Sequence, residues 1–128
     1  MALTPYLTLS DASAAIEFYK KAFGATEKAR MPSEDGKKIM HAELEFAGGR
    51  LFLSDDFVNA PKGPARSHAA VFIGFDKASD VDKIVDRAES AGAKVNQQPE
   101  DMFWGDRFAQ FTDPFGHDWM VGAPKGAK

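Results

Sequence analysis

Apolar and polar positions along the chain change period several times, and each change marks an element. Leu3 to Leu9 alternates as a short strand, with Leu7 and Leu9 on one face. From Asp11 the period lengthens: Ala12, Ala15, Ile16, Tyr19, Ala22 and Phe23 recur at helical spacing, with Ser10 or Asp11 as N-cap and Gly24 as stop. Thr26 to Met31 predicts a strand, and Pro32 to Gly36 is turn chemistry. Ile39 to Phe46 alternates again, placing Met40, Ala42, Leu44 and Phe46 on one side and His41, Glu43 and Glu45 on the other. Gly48-Gly49 then turns the chain into a strand from Arg50 to Ser54.

Asn59 to Arg66, with Pro61, Gly63 and Pro64, reads as a linker, and beyond it the same order restarts. His68 to Phe75 is an apolar strand, and Ser79 is the expected cap of a second helix whose Val81, Ile84, Val85, Ala88 and Ala91 share a face up to Gly92. Ala93 to Gln97 predicts a strand and Gln98 to Gly105 a loop. Asp106 to Thr112 and Trp119 to Gly122 form the last hairpin around Asp113-Pro114-Phe115-Gly116. Sliding the second half onto the first places Ile84 on Ile16, Gly92-Ala93 on Gly24-Ala25 and Gly116 on Gly48. The first strands need a short gap, since Leu9 matches Phe75 better than Lys77. A strand, helix, three-strand unit is therefore repeated, which predicts an α+β class. We expect one domain of two modules, residues 3–56 and 67–122, joined by a linker at 57–66 and followed by a flexible tail at 123–128.

Composition narrows the function classes. The chain has 128 residues, no cysteine and a net charge of −3, so it offers neither a disulfide framework nor the clustered basic stripe of a nucleic-acid surface. No apolar run approaches the roughly 20 residues of a membrane span, and no signal-peptide pattern opens the sequence. A soluble, cytoplasmic protein with no nucleic-acid or membrane partner is the expectation. Glycine-rich phosphate loops, a nucleophile elbow and HExxH are all missing, so nucleotide-dependent, serine-hydrolase and zincin readings have no support.

Chemistry-bearing side chains gather in a few places. His41 and Glu43, two residues apart on a strand, share a face that Glu45 continues. They form either a polar wall suited to proton transfer or the solvated side of a strand. Trp104, Asp106 and Arg107 lie beside Phe103 and Phe108. Trp104 and the phenylalanines could stack on a flat ligand while Arg107 pairs with an anion or with Asp106; equally, Trp104-Gly105 could plug one end of a sheet with Arg107 exposed. His117 is expected to bond its turn, and Trp119 to lie in the core. Asp55, Asp56, Glu100 and Asp101 form an acidic rim or merely solvated loops.

The doubled βαβββ unit ending in Asp113-Pro114-Phe115-Gly116-His117-Asp118-Trp119 resembles the vicinal oxygen chelate superfamily of glyoxalase I, bleomycin-resistance proteins, fosfomycin-resistance enzymes and extradiol dioxygenases. The runs 15–25, Met40-His41-Ala42-Glu43-Leu44 and Trp104-Gly105-Asp106-Arg107-Phe108 resemble its PhnB-like branch. The resemblance implies two modules forming a cup-shaped mixed sheet, a homodimer, and a ligand or metal inside the cup. Metal-dependent members take His or Gln from a module's first strand and Glu from its last. Those positions map here onto Thr4, Phe52 or Leu53, Ala70 and Val121, which do not make the usual site. His68, two residues before Ala70 on the same strand face, restores at most one ligand, and a site joining it to His41 and Glu43 has no counterpart in the family's geometry. The expectation is a metal-free protein, with no cofactor, that holds a small organic molecule through His41, Glu43, Phe52, His68, Trp104 and Arg107. The alternatives are a metal-dependent lyase, thiol transferase or dioxygenase, a metal-free catalyst using His41 or His68 as base, and a dimeric scaffold without a pocket.

Overall fold

In a computed structural model that describes residues 4–56 and 69–125, the two periodicities resolve into two compact units, Met1–Pro64 and Ala65–Lys128. The linker expected at 59–66 and His68 lie outside the described residues. Unit one runs β1 (Tyr6–Leu9), α1 (Ala12–Phe23), β2 (Thr26–Pro32), β3 (Ile39–Phe46) and β4 (Gly49–Asp55). Unit two repeats the order as β5 (Ala70–Gly74), α2 (Ala78–Ser90), β6 (Lys94–Asp101), β7 (Asp106–Thr112) and β8 (Asp118–Pro124). Each unit has a four-stranded mixed sheet, in the orders β1-β4-β3-β2 and β5-β8-β7-β6, with the outer first strand parallel to its neighbour and the rest antiparallel. This is the α+β repeat expected from the sequence. The gap placed in the first strands is also present, because Leu7 pairs with Leu53 while Ile73 pairs with Val121.

One face of each sheet is closed by its helix. In unit one Leu7, Leu9, Leu44, Leu51 and Leu53 meet Ala15, Ile16 and Tyr19 of α1, all buried. Burying each such leucine contributes about 2 kcal/mol, so this face holds the unit together and leaves the other for contacts of a different kind. The start of α1 is fixed twice. Asp11 accepts from the Ala14 amide at 3.0 Å, settling the choice of cap, and buried Asp55 accepts from the amides of Ala12 at 2.8 Å and Ile39 at 2.7 Å. Asp55 is therefore a clasp between helix and sheet and not part of an acidic rim. Gly24 closes α1 at φ +69°, donating to the Lys20 carbonyl.

Several sequence expectations give way to tertiary context. Ile39 is buried and Met40 exposed, reversing the expected side for Met40, because the β2–β3 register slips between Met31 and Pro32 and one extra residue bulges out. Ser79 lies inside α2. The cap is Lys77, which makes no side-chain bond, and Asp80 supplies the negative charge that suits a helix start. The α2 cap at the other end is Ala91, with Gly92 taking the positive φ one residue later. β6 continues to Asp101 where a loop was expected from Gln98, since an edge strand tolerates Pro99 and its pairing absorbs two register shifts. β8 runs to Pro124 and buries Ala123, so Ala123 and Pro124 belong to the sheet and not to a tail. No helix among the described residues is long and apolar enough to cross a membrane.

Candidate functional site

The helix-free face of the first sheet carries a hydrogen-bonded row of aromatic and polar side chains. Strand alternation sends Leu7 and Leu9 to the helix and leaves Tyr6 outward. On β4 it leaves Phe52 outward between Leu51 and Leu53, and on β3 it leaves His41 and Glu43 outward around Ala42. Register then aligns them: Phe52 pairs with Tyr6 on one side and with Glu43 on the other. The Tyr6 side chain reaches across β4, so its hydroxyl lies 3.0 Å from His41 Nδ1, while His41 Nε2 lies 3.1 Å from Glu43 Oε2. Phe52 packs edge-on to both rings, at centroid distances of 5.1 Å to His41 and 6.2 Å to Tyr6. Arg50 adds a cation beside the row, its guanidinium 3.8 Å from Glu43 Oε1.

A carboxylate orients the imidazole, the imidazole orients a phenol, and two aromatic rings lie beside them as an apolar contact surface. His41, Glu43 and Phe52 are thus brought together. Tyr6, half exposed, joins them although the sequence reading did not single it out. The signal was available in part, since inward Leu7 and Leu9 imply an outward Tyr6, but its contact with β3 depends on strand order.

Unit two arranges its candidates differently. Trp104 sits in the turn between β6 and β7, closed by the Gly105 amide donating to the Met102 carbonyl and the Met102 amide donating to Asp106. Its ring meets Phe103 and Phe108 edge-on at 5.1 and 5.9 Å. Phe103 is 95% exposed and Trp104 50%. Phe72 lies on the helix-free side of this sheet, its ring over Gly122. A Cβ on that glycine would stand 3.2 Å from Cζ, so the missing side chain makes room for the ring.

Arg107 is paired within the fold. It pairs in register with buried Ala123, which puts it on the helix side, where Nε and Nη2 donate to Asp82 at 2.7 and 3.1 Å and Nη1 donates to Asp101 at 3.0 Å. These bonds, Asp82 foremost, raise its pKa further above the usual arginine value and keep it charged. Its partners are Asp82 and Asp101; Asp106, one of the partners the sequence left open, is not among them, and the fork of the guanidinium is occupied within the protein. Asp101 accordingly serves an internal pair and not an acidic rim. His117 bonds its turn through the backbone, donating to Asp113 Oδ1 at 3.0 Å, and Trp119 is fully buried.

The positions mapped for metal ligands fare no better as donors. Leu53 and Val121 point into the helix-side cores, and Phe52 offers a phenyl ring. The neighbours of Val121 on the opposite face are Met120 and Gly122, and neither carries an oxygen or nitrogen side-chain donor. Among the described residues no group of three or more His, Asp or Glu side chains could hold a metal ion. None of the mapped positions, Thr4, Phe52 or Leu53, Ala70 and Val121, carries a carboxylate or an imidazole.

The family model described as Glyoxalase/Bleomycin resistance protein/Dioxygenase superfamily matches residues 4–121. The chain is 40% identical over 134 residues to Uncharacterized protein Rv0887c of Mycobacterium tuberculosis, covering 96% of this chain and 74% of that one. Among solved structures it is similar to protein PA1353 of Pseudomonas aeruginosa (TM-score 0.81, 25% identity, 98% of both chains). The fold alone is shared with a putative 3-demethylubiquinone-9 3-methyltransferase, PhnB protein, of Bacillus cereus (TM-score 0.78, 14% identity, 96% of this chain and 99% of that one). It is also shared with the fosfomycin resistance protein FosX of Listeria monocytogenes complexed with Mn(II) (TM-score 0.75, 14% identity, 98% of this chain and 93% of that one).

Proposed function

Since the chain belongs to the glyoxalase/bleomycin resistance protein/dioxygenase superfamily, we propose that it binds a small organic molecule, without a resident metal ion, on the helix-free face of its first sheet. The observation that carries this reading is the bonded row Tyr6-His41-Glu43 with Phe52 set against its two rings. Rings in that arrangement offer a flat ligand contact worth about 1 kcal/mol beyond simple burial, and the oriented polar groups beside them fix its direction. Donor chemistry supports the metal-free part: leucine, valine and phenylalanine stand at the mapped ligand positions.

A metal-dependent enzyme is the second reading, and the Mn(II) complex of FosX, a protein of the same fold, is what favours it. Two measurements separate the readings. Metal analysis of protein purified without chelator is expected to find far less than one divalent ion per chain. About one tightly held ion per chain, lost on His68→Ala, would overturn the proposal. Protein-observed NMR with a panel of flat aromatic compounds is expected to shift resonances of Tyr6, His41 and Phe52, with Phe52→Ala weakening binding about tenfold.

A further inference from the structure

We infer that the Tyr6-His41-Glu43 row sets the hydrogen-bond polarity of the site, so that its ligand class is a flat ring bearing an N–H or O–H donor. This rests on the binding reading above and goes further by assigning Glu43 and His41 the role of positioning residues for the Tyr6 hydroxyl.

The chain of constraint begins at Glu43. An ionised carboxylate only accepts, so the imidazole hydrogen must lie on Nε2 to make the 3.1 Å bond to Oε2. A neutral imidazole with its hydrogen on Nε2 has a lone pair on Nδ1. Tyr6 has a single hydroxyl hydrogen, and the 3.0 Å bond to Nδ1 consumes it. What Tyr6 Oη has left to show a ligand is lone pairs. A phenol is ordinarily ambivalent, able to donate or accept; this one is held as an acceptor.

The surroundings leave the lock intact. Among the described residues of unit one, the groups facing His41 are Tyr6 from β1, Glu43 from its own strand, Phe52 from β4 and Met31, its register partner, from β2. Of these only Tyr6 and Glu43 titrate. Arg50 lies against the other oxygen of Glu43, and Glu45 follows on the same face of β3. Tyr6 is half exposed with Phe52 at its edge, so a ring laid against these two side chains brings its own substituent to the hydroxyl.

The test uses two probes of one shape: indole, whose ring N–H donates, and benzofuran, whose ring oxygen cannot. NMR titration of the full chain at about pH 8, above the usual imidazole range, reads both affinities. The wild-type protein is expected to prefer indole by about fivefold, the worth of one net hydrogen bond. Tyr6→Phe should bring the ratio of the two affinities to about one. Glu43→Gln lets the imidazole carry its hydrogen on either nitrogen, because an amide both donates and accepts, and should cut the preference to within about twofold. Equal binding of the two probes by the wild-type chain, or an undiminished preference in Glu43→Gln, would overturn the inference and leave the binding reading standing. If neither probe binds at millimolar concentration, both fall together.

Discussion

The indole Nε1 of Trp119 donates to Asp113 Oδ2 at 3.0 Å, and both residues are almost wholly buried. The other oxygen of Asp113 accepts from the amides of Phe115 and His117, at 2.9 and 3.0 Å. One carboxylate therefore closes the β7–β8 turn and anchors the largest side chain of the second core. The spacing of these residues in Asp113-Pro114-Phe115-Gly116-His117-Asp118-Trp119 has a mechanical basis: the turn must return the chain so that Trp119 faces the acid that shapes it.

Asp113→Ala is accordingly expected to destabilise unit two by about 2 kcal/mol, since it leaves a buried indole N–H and two part-buried amides without their acceptor. Urea unfolding followed by Trp119 fluorescence, in a Trp104→Phe background that silences the exposed indole, measures it. A loss below about 1 kcal/mol would mean that water replaces the carboxylate. Ligand binding at the Tyr6 row, on a different sheet, should survive in the fraction that folds.

Arg107 provides the converse case, a residue that looks functional and is bound within the fold. Arg107→Ala removes a bidentate pair to Asp82 and a further bond to Asp101 and should cost about 1 kcal/mol, with Asp82 half exposed and so partly screened. Arg107→Lys keeps the charge but not the fork and should recover only part of that. The affinity for an aromatic ligand is expected to be unchanged in both variants. A tenfold loss of affinity without loss of stability would return Arg107 to the binding surface.

How far the sequence reaches differs between the fold and the site. The two helices, the Gly24 stop, the hairpins and the doubled order are readable because each is set by local periodicity or by a turn residue. The outward Met40 is not, because a bulge shows itself only against a partner strand. Likewise Lys77 replaces Ser79 as the α2 cap where tertiary packing decides the start of the helix. At the site, the pairing of His41 with Glu43 follows from their spacing along one strand. Tyr6 comes from a strand two positions away in the sheet, and Arg107 meets Asp82 across a strand-to-helix contact. Neither relationship is local in sequence, so residue type left the partner of Arg107 open and gave no partner for Tyr6.

A last expectation concerns pH. Glu27 on β2 accepts from Arg30 at 2.8 and 3.1 Å and pairs with Lys20 of α1 at 3.0 Å. These contacts, the bond from Arg30 foremost, hold its pKa below the ordinary glutamate value of 4.5. A carboxyl depressed in the folded state adds stability that is fully present above its unfolded pKa and is lost as pH falls through the folded one. Glu27→Gln should therefore lower stability at neutral pH, by no more than about 1 kcal/mol for a pair this close to solvent, and the gap to wild type should close as the pH drops below 4.5. Chemical unfolding of the two proteins across that range provides the measurement. A gap that persists in acid would show that Glu27 contributes through packing and not through its charge, and one that widens would reverse the sign of the linkage.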